Sequence, residues 1–309
     1  MTEQIPIILF TYARPGPLNR TLECLKENHV PLIYAYSDGP RTPDKAQKVR
    51  DVRDILRGID WCDVVLCERE NNFGLGRSIL TGVMEVLQKH DMAIIFEDDL
   101  ICVPGTYNYL CEALLHYRDD TRVMSVTGWT HPLIIPKSVT DQPYFDGRAE
   151  SWVWGTWARA WDGMNENDAL TLIKRCKEQG IDIYRYGADL PEMARVELKQ
   201  NIWAVRFLYR HILNRGLCLR PPWSMVENIG FGPDATNTQS ASWLKNPPLK
   251  PCPPIPEQWP EPFEEPECFL LHQNVCGKRP PGYARMLRPL RSVYTTCLRS
   301  LSKYWRYPK

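Results

Sequence analysis

Three consecutive acids, Glu97, Asp98 and Asp99, close the apolar run "AIIF" at 93–96. Burying each of them unpaired costs on the order of several kcal/mol, so carboxylates crowded at the end of a buried strand need a reason. A divalent cation supplies one, and hard oxygen ligands select Mg²⁺ or Mn²⁺. The alternative is a solvated loop or a cap for the next helix. A second cluster, "NNFGLGRSIL" at 71–80, places Gly74 and Gly76 between a strand and a helix. The dinucleotide fingerprint G-x-G-x-x-G asks for a third glycine where this chain has Ile79, although Glu97 stands about twenty residues on, where that motif keeps its acid. The broken motif argues against a dinucleotide site. The alternative is that the glycines only form a turn and Arg77 is solvated.

The elements that carry these residues alternate. Apolar, β-rich runs at 6–10, 31–36, 63–67, 93–96 and 123–128 read as strands, with helical patterns at 15–27, 43–57, 75–89 and 104–118 between them. Alternation of this kind predicts an α/β fold with a mostly parallel sheet flanked by helices. Ligands of such sheets bind beyond the carboxyl ends of the strands, where the acidic triplet falls. After residue 150 the pattern changes. Trp152, Trp154, Trp157 and Trp161 lie within ten residues, and helices are expected at 168–179 and 191–214. Trp154, Trp157 and Trp161 share one face of a helix if that segment is helical, which makes Trp157 and Trp161 core residues.

Composition narrows the class. The chain has 309 residues, 43% of them hydrophobic, enough for a large core. A net charge of +1 argues against a dedicated nucleic-acid binder. No run is long and apolar enough for a membrane span, and no signal peptide is evident, so a cytoplasmic protein is expected. Eleven cysteines without a C-x-x-C pair read as reduced thiols. Nine prolines at 247–267 predict an extended, stiff segment. The sequence therefore divides into a catalytic domain at 1–240, a proline-rich linker at 241–282 and a basic amphipathic helix at 283–309. Leu290, Val293, Tyr294, Cys297, Leu298, Leu301 and Trp305 form the apolar stripe of that helix, with Arg291, Arg299, Lys303 and Arg306 off it. Such a helix lies on an anionic membrane surface or docks on the protein itself, so a peripheral position on the inner membrane face is one expectation.

The segment "FEDDLICVPGTYNYLCEALLHYRDDTRVMSVTGW" resembles glycosyltransferases of the GT-A fold, most closely bacterial family-2-like sugar transferases. In its E-D-D it is also similar to the eukaryotic N-acetylglucosaminyltransferases that initiate complex N-glycans. "PIILFTYARPGPLNRTLECL", "YSDGP", "ENNFGLGRSILTGVMEVL", "SWVWGTWARAW" and "WAVRF…GLCLRPPWSMVENIGF" extend the resemblance over about residues 5–240. It implies a metal-dependent transfer of a sugar from a nucleotide-sugar, a UDP-sugar foremost, to a glycan or lipid-linked saccharide in surface polysaccharide synthesis, with inversion. By the same resemblance Asp99 binds Mn²⁺ or Mg²⁺, and Glu97 and Asp98 contact the nucleotide. Thr11, Arg14, Asp38 and Asn72 belong to the donor pocket, and Arg77 approaches the phosphates. Trp129, Trp152 and Trp154 are expected at the sugars, because aromatic faces suit the apolar faces of sugar rings.

An inverting transfer needs a carboxylate to take the acceptor proton. Related enzymes often carry an acid two residues before the tryptophan of a segment like "IWAVRF". Here that position is Asn201, which cannot act as a base. Glu197, one helical turn earlier, Glu150 and Asp189 are the contenders. Each has an alternative as a solvated helix charge. Residues 226–237, with their glycines and Pro233, are read as a loop that orders over bound donor or as a plain surface loop. Two rival readings stay open, a non-catalytic nucleotide-sugar or glycan binder and a sugar-phosphate nucleotidyltransferase.

Overall fold

The computed structural model describes residues 4–200, 202–231 and 246–279. Asn201 and the whole of the 283–309 stripe lie outside the described residues, as does the 226–237 loop beyond Phe231. The first half alternates as the sequence predicts: β1 (Ile7–Thr11), α1 (Pro15–Glu27), β2 (Leu32–Ser37), α2 (Ala46–Arg57), β3 (Asp63–Glu68), α3 (Leu75–Leu87) and β4 (Met92–Glu97). A turn at 98–99 leads into the short β5 (Leu100–Cys102), then α4 (Thr106–His116) and β6 (Val123–Thr127). The second half holds β7 (Tyr144–Asp146), β8 (Trp154–Trp157), α5 (Ala158–Trp161), α6 (Ala169–Glu178), α7 (Asp189–Gln200), α8 (Trp203–Asn214), β9 (Leu217–Arg220), β10 (Val226–Asn228) and α9 (Cys268–Cys276).

Eight strands form one sheet in the order β3-β2-β1-β4-β8-β6-β9-β7, and β10 pairs with β5 as a separate ribbon. Only β8 and β7 run against the other six, so the sheet is mostly parallel. Alternation along the strands divides the core. Ile7, Leu9, Ile94 and Phe96 pack under α1 and α4, whereas Ile8, Phe10, Ala93 and Ile95 pack under α3, α6 and α8. β1 is buried along its whole length, which explains why its sequence reads as a continuous apolar run instead of an alternating one.

Two expectations are corrected. The tryptophan segment is not a helix over 154–161. Trp154–Trp157 is strand β8, wedged antiparallel between β4 and β6. Gly155 permits that wedge, since a Cβ there would lie 2.9 Å from Leu114 Cδ1. A strand throws Trp154 and Trp157 to opposite faces, and both are buried. The helix expected over 191–214 is two helices, α7 and α8. The proline-rich stretch is irregular to Glu267, apart from a bridge between Glu264 and Phe145, and it lies on the body. Trp259 stacks on His116, and the Tyr117 hydroxyl donates to the Pro260 carbonyl at 2.6 Å. Helix α9 follows inside the span expected as a linker. Among the described residues no helix is long and apolar enough to cross a membrane.

His211 on α8 is wholly buried and satisfied as a neutral ring. Its Nδ1 lies 2.9 Å from the Phe207 carbonyl, and its Nε2 lies 2.9 Å from the Ser125 hydroxyl on β6. Nδ1–H therefore donates, and Nε2 accepts. Burial pushes the imidazole down to about 4, a direction the Phe207 carbonyl only partly opposes. The unfolded chain takes up this proton near pH 6.5 and the folded chain does not. Stability is therefore fully present above about pH 6.5 and is lost as pH falls towards 4, by on the order of 2–3 kcal/mol. Urea unfolding of the native chain and of His211→Gln should show a stability gap that narrows over this window. A gap independent of pH would contradict it.

Candidate active site

The chain order reverses between β1 and β4. From β1 the sheet grows outwards through β2 and β3, while β4 joins on the opposite side. Successive strands leave a crevice at such a switch point, beyond their carboxyl ends. Thr11 ends β1, Asp38 follows β2 and Glu97 ends β4, with Phe10 beside Glu97 and Thr11 beside Ser37 in register. The topology thus collects Thr11, Arg14, Asp38 and the acidic triplet along one rim.

Arg14 spans the switch point. It precedes Pro15 at the start of α1, a position that proline biases to extended backbone. Its Nη2 pairs with Asp98 at 2.5 Å and its Nη1 with Asp99 Oδ2 at 2.8 Å. Asp98 Oδ2 also accepts from the Tyr12 amide at 2.9 Å. Burial works against the Arg14 charge, but the two aspartates outweigh it and hold the guanidinium protonated. Burial raises the Asp98 carboxyl above the ordinary range, and Arg14 pulls it part of the way back. Glu97 is pushed higher still, by burial first and then by Asp99 and Asp98. The three acids are therefore not equivalent. Asp98 is consumed in holding β1 to β4, whereas Asp99 keeps Oδ1 buried with no hydrogen-bond partner among the described residues.

That orphaned oxygen is the test of fit for a divalent cation. Among the described residues no three His, Cys, Asp or Glu side chains converge into a metal cage. Mg²⁺ in particular is usually held by one or two carboxylates plus substrate phosphates and water, so a single offered carboxylate at a crevice fits. The backbone is shaped to Asp99 as well. β10 pairs with β5, the Ile229 amide donates to the Asp99 carbonyl at 2.8 Å, and a Cβ on Gly230 would sit 1.8 Å from Asp99 Oδ2. Only glycine leaves that approach open.

Asp38 organises the glycine loop. Its carboxylate accepts from the amides of Phe73 at 2.8 Å and Gly74 at 2.9 Å, and from Gly39 at 3.1 Å. Gly39 packs on the loop backbone, where a Cβ would lie 2.4 Å from the Glu70 carbonyl oxygen, and Asn72 donates to the Gly39 carbonyl at 2.8 Å. Arg77, expected to approach phosphates, instead lies over the Phe73 ring at 4.2 Å, with Arg69 over the same ring at 4.4 Å. The buried Thr11 hydroxyl donates to the Tyr36 carbonyl at 3.2 Å, a link within the sheet.

Trp129 and Trp152 meet edge to face at 5.1 Å, and Phe231, next to Gly230, lies 6.1 Å from Trp152. This aromatic wall adjoins Asp99. The Trp129 Nε1–H is buried without a partner among the described residues, a second orphan beside the same crevice. Trp154 is not part of the wall. It is 1% exposed and stacked among Trp161, Trp203 and Phe207 in the core, so the expectation for it is corrected. Val153 separates the two tryptophans with φ +46, a left-handed conformation that a β-branched residue rarely adopts. The twist turns Trp152 towards the wall and Trp154 into the core. Such strain costs about 1–3 kcal/mol and clusters at functional sites.

The acids read as bases separate clearly. Glu197 is 3% exposed, takes Arg206 on one oxygen and accepts the Ala169 amide at 2.8 Å on the other. It ties α7 to α8 and to the start of α6. Asp189 is clasped by both Nη atoms of Arg148, at 2.8 and 3.2 Å. Glu150, two residues before Trp152, accepts the Ser151 amide on Oε1, and its Oε2 lies 3.6 Å from Arg220. Arg220, Gly230, Phe231 and the strained Val153 were not singled out in the sequence. They lie within the quoted segments "SWVWGTWARAW" and "GLCLRPPWSMVENIGF", and Gly230 and Phe231 also within the 226–237 loop.

Comparison with protein-family models and with curated protein sequences finds no match. Among solved structures, the chain is similar to a mannosyltransferase from Pyrobaculum calidifontis solved with GDP-Man and Mn²⁺, at 14% identity and a TM-score of 0.36, over 50% of this chain and 44% of that one. It is also similar to a cytidylyltransferase from Leptospira borgpetersenii, at 9% identity and a TM-score of 0.32, over 53% of this chain and 64% of that one. A putative glucose-1-phosphate thymidylyltransferase from Bacillus anthracis aligns at 6% identity with a TM-score of 0.33, over 52% and 75%. The chain thus spans less than two thirds of the length of the first two.

The division between a carboxylate that holds and one that offers has a measurable consequence. Asp98→Asn should lower the unfolding free energy by about 1–3 kcal/mol, the cost of a lost charge-assisted bond with its partners left buried. Asp99→Asn should lower it by less. Urea unfolding of the two variants in metal-free buffer decides this, and the opposite order would contradict it.

Proposed function

We propose that the chain is a metal-dependent glycosyltransferase of the GT-A type, moving a sugar from a nucleotide-sugar to a saccharide or lipid-linked saccharide acceptor. The observation that carries this reading is the unpartnered Asp99 Oδ1 at the β1–β4 switch point, beside an aromatic wall. Asp99 would hold Mn²⁺ or Mg²⁺. When bound, the cation neutralises the developing charge on a departing nucleoside diphosphate. Arg14 supplies fixed positive charge on the same rim and keeps Asp98 and Asp99 from repelling each other. The loop braced by Asp38 and Asn72 borders the nucleotide. Trp129 and Trp152 offer faces for a sugar ring, and the Trp129 Nε1–H offers a donor to a sugar hydroxyl.

Glu150 is the base this reading favours. It is two residues from Trp152, its side chain is 20% exposed, and among the described residues Arg220, at 3.6 Å, is the cation within salt-bridge range. Glu197 and Asp189 are each committed to a close arginine pair, which leaves them poorly suited to take a proton from an acceptor hydroxyl.

A panel of UDP-, GDP- and dTDP-sugars, scored by thermal stabilisation with and without Mn²⁺, tests the reading. Stabilisation by one donor only in the presence of the metal, lost in Asp99→Asn, is expected, because a ligand that binds only the folded form raises the melting temperature. The stabilising donor should then be turned over, with release of the nucleoside diphosphate. Binding without turnover would favour a non-catalytic binder. Pyrophosphate release from a nucleoside triphosphate and a sugar phosphate would favour a nucleotidyltransferase. Either outcome overturns the glycosyltransferase reading.

A further inference from the structure

Behind the aromatic wall lies a fully buried ionic cluster. Arg220, at the end of β9, has a side chain with no exposure. Its Nε donates to Asp146 Oδ2 at 2.7 Å, its Nη2 to the Arg148 carbonyl at 2.9 Å and its Nη1 to the Trp129 carbonyl at 3.4 Å. The same Nη1 faces Glu150 Oε2 at 3.6 Å. Asp146 is equally buried. It accepts the Arg148 amide on Oδ1, and His272 Nε2–H on the oxygen that Arg220 uses, at 2.7 Å. Burial penalises the Asp146 charge, but His272 and Arg220 outweigh it and hold the carboxyl well below its usual range.

A buried ion pair is weak evidence for stability, since its desolvation offsets its attraction. This one has a geometry that stability alone does not require. The planar guanidinium reaches the carbonyl of Trp129 and the carboxylate of Glu150 from one nitrogen, while two further nitrogens are locked elsewhere. The fork geometry of arginine is needed for that, and a lysine point charge cannot reproduce it. We propose that Arg220 is a positioning residue, fixing the orientation of Glu150 against the Trp129 platform, with Asp146 and His272 holding Arg220 in place. The proposal rests on Glu150 being the acceptor-side base. It makes helix α9, which carries His272, part of the site, so that the chain beyond the proline-rich stretch completes the crevice.

The charged and titratable groups around Glu150 come from four elements. Arg220 and Cys218 lie on β9, Arg148 follows β7 and Cys276 ends α9. Arg148 in turn holds Asp189, which opens α7, and Asp146 of β7 holds Arg220 and His272 of α9. Of these, Arg220 is the cation within salt-bridge range of Glu150.

The test reads Glu150 directly and needs no substrate. The full chain is labelled with ¹³C at the glutamate side-chain carboxyls, and the Glu150 signal is assigned by its loss in Glu150→Gln. At fixed pH its chemical shift should move away from the native position in Arg220→Gln, and Arg220→Lys, which keeps the charge but lacks the fork, should not restore it. A Glu150 signal unchanged in Arg220→Gln, or fully restored in Arg220→Lys, would overturn the proposal. Should Arg220→Gln fail to fold, the ¹⁵N guanidinium signals of Arg220 in the native chain replace it. At fixed pH they should move in Glu150→Gln, and guanidinium signals unchanged there overturn the proposal. Neither readout depends on sugar transfer. A chain that shows the coupling but transfers no sugar would refute the glycosyltransferase reading and leave the coupling standing.

Discussion

Everything at the crevice depends on one arrangement, the guanidinium of Arg14 between Asp98 and Asp99. A sheet whose central strand ends in three acids would open at that end if the charges were left to repel. Arg14 removes that repulsion from the strand on the far side of the switch point, so the same contact that closes the gap between β1 and β4 also sets the electrostatics of the rim. Its effect is asymmetric. Asp98 has both oxygens engaged, by Arg14 and by the Tyr12 amide. Asp99 has one engaged and one bare. Fixed protein charge thus engages Asp98 fully and Asp99 by half, and leaves Asp99 Oδ1 without a partner among the described residues.

The rest of the molecule positions two walls around that oxygen. On one side the Asp38 carboxylate gathers three backbone amides and freezes the glycine loop, with Phe73 held between two arginines. On the other, β8 enters the sheet against the prevailing direction and brings Trp152 alongside Trp129. β10 then folds back on β5 and lays Gly230 on Asp99. The antiparallel intrusion of β8 is what lets residues from the second half of the chain face residues from the first. The 246–279 region belongs to the same body, through Trp259 on α4 and His272 on Asp146.

Much of the first half was legible. Apolar runs with helical patterns between them give β1 to β4 and their helices, and a carboxylate cluster at a strand end points to the rim. What was not legible has a common cause, which is that it depends on contacts between distant segments. "WVWGTW" carries a helical spacing of tryptophans by coincidence, and only the gap between β4 and β6 makes it a strand. Trp154, expected at the sugars because aromatic faces suit them, belongs to the core. Glu197 looked available because its position on a helix was visible while Arg206 and the Ala169 amide were not. The stacking of Arg77 on Phe73 has no sequence signature either. The strain at Val153 is invisible in the same way, since nothing about a valine announces a positive φ.

The central claim is that Asp99 offers its carboxylate to a divalent cation that also meets a nucleoside diphosphate. Electron–nuclear double resonance of Mn²⁺ bound with UDP tests it directly, using protein carrying ¹³C at the aspartate carboxyls. The account expects a ¹³C coupling from a ligating carboxylate together with ³¹P couplings from the diphosphate, and loss of the ¹³C coupling in Asp99→Asn. A ¹³C coupling that survives in Asp99→Asn, or phosphorus couplings with no carboxylate coupling in the native chain, would contradict it.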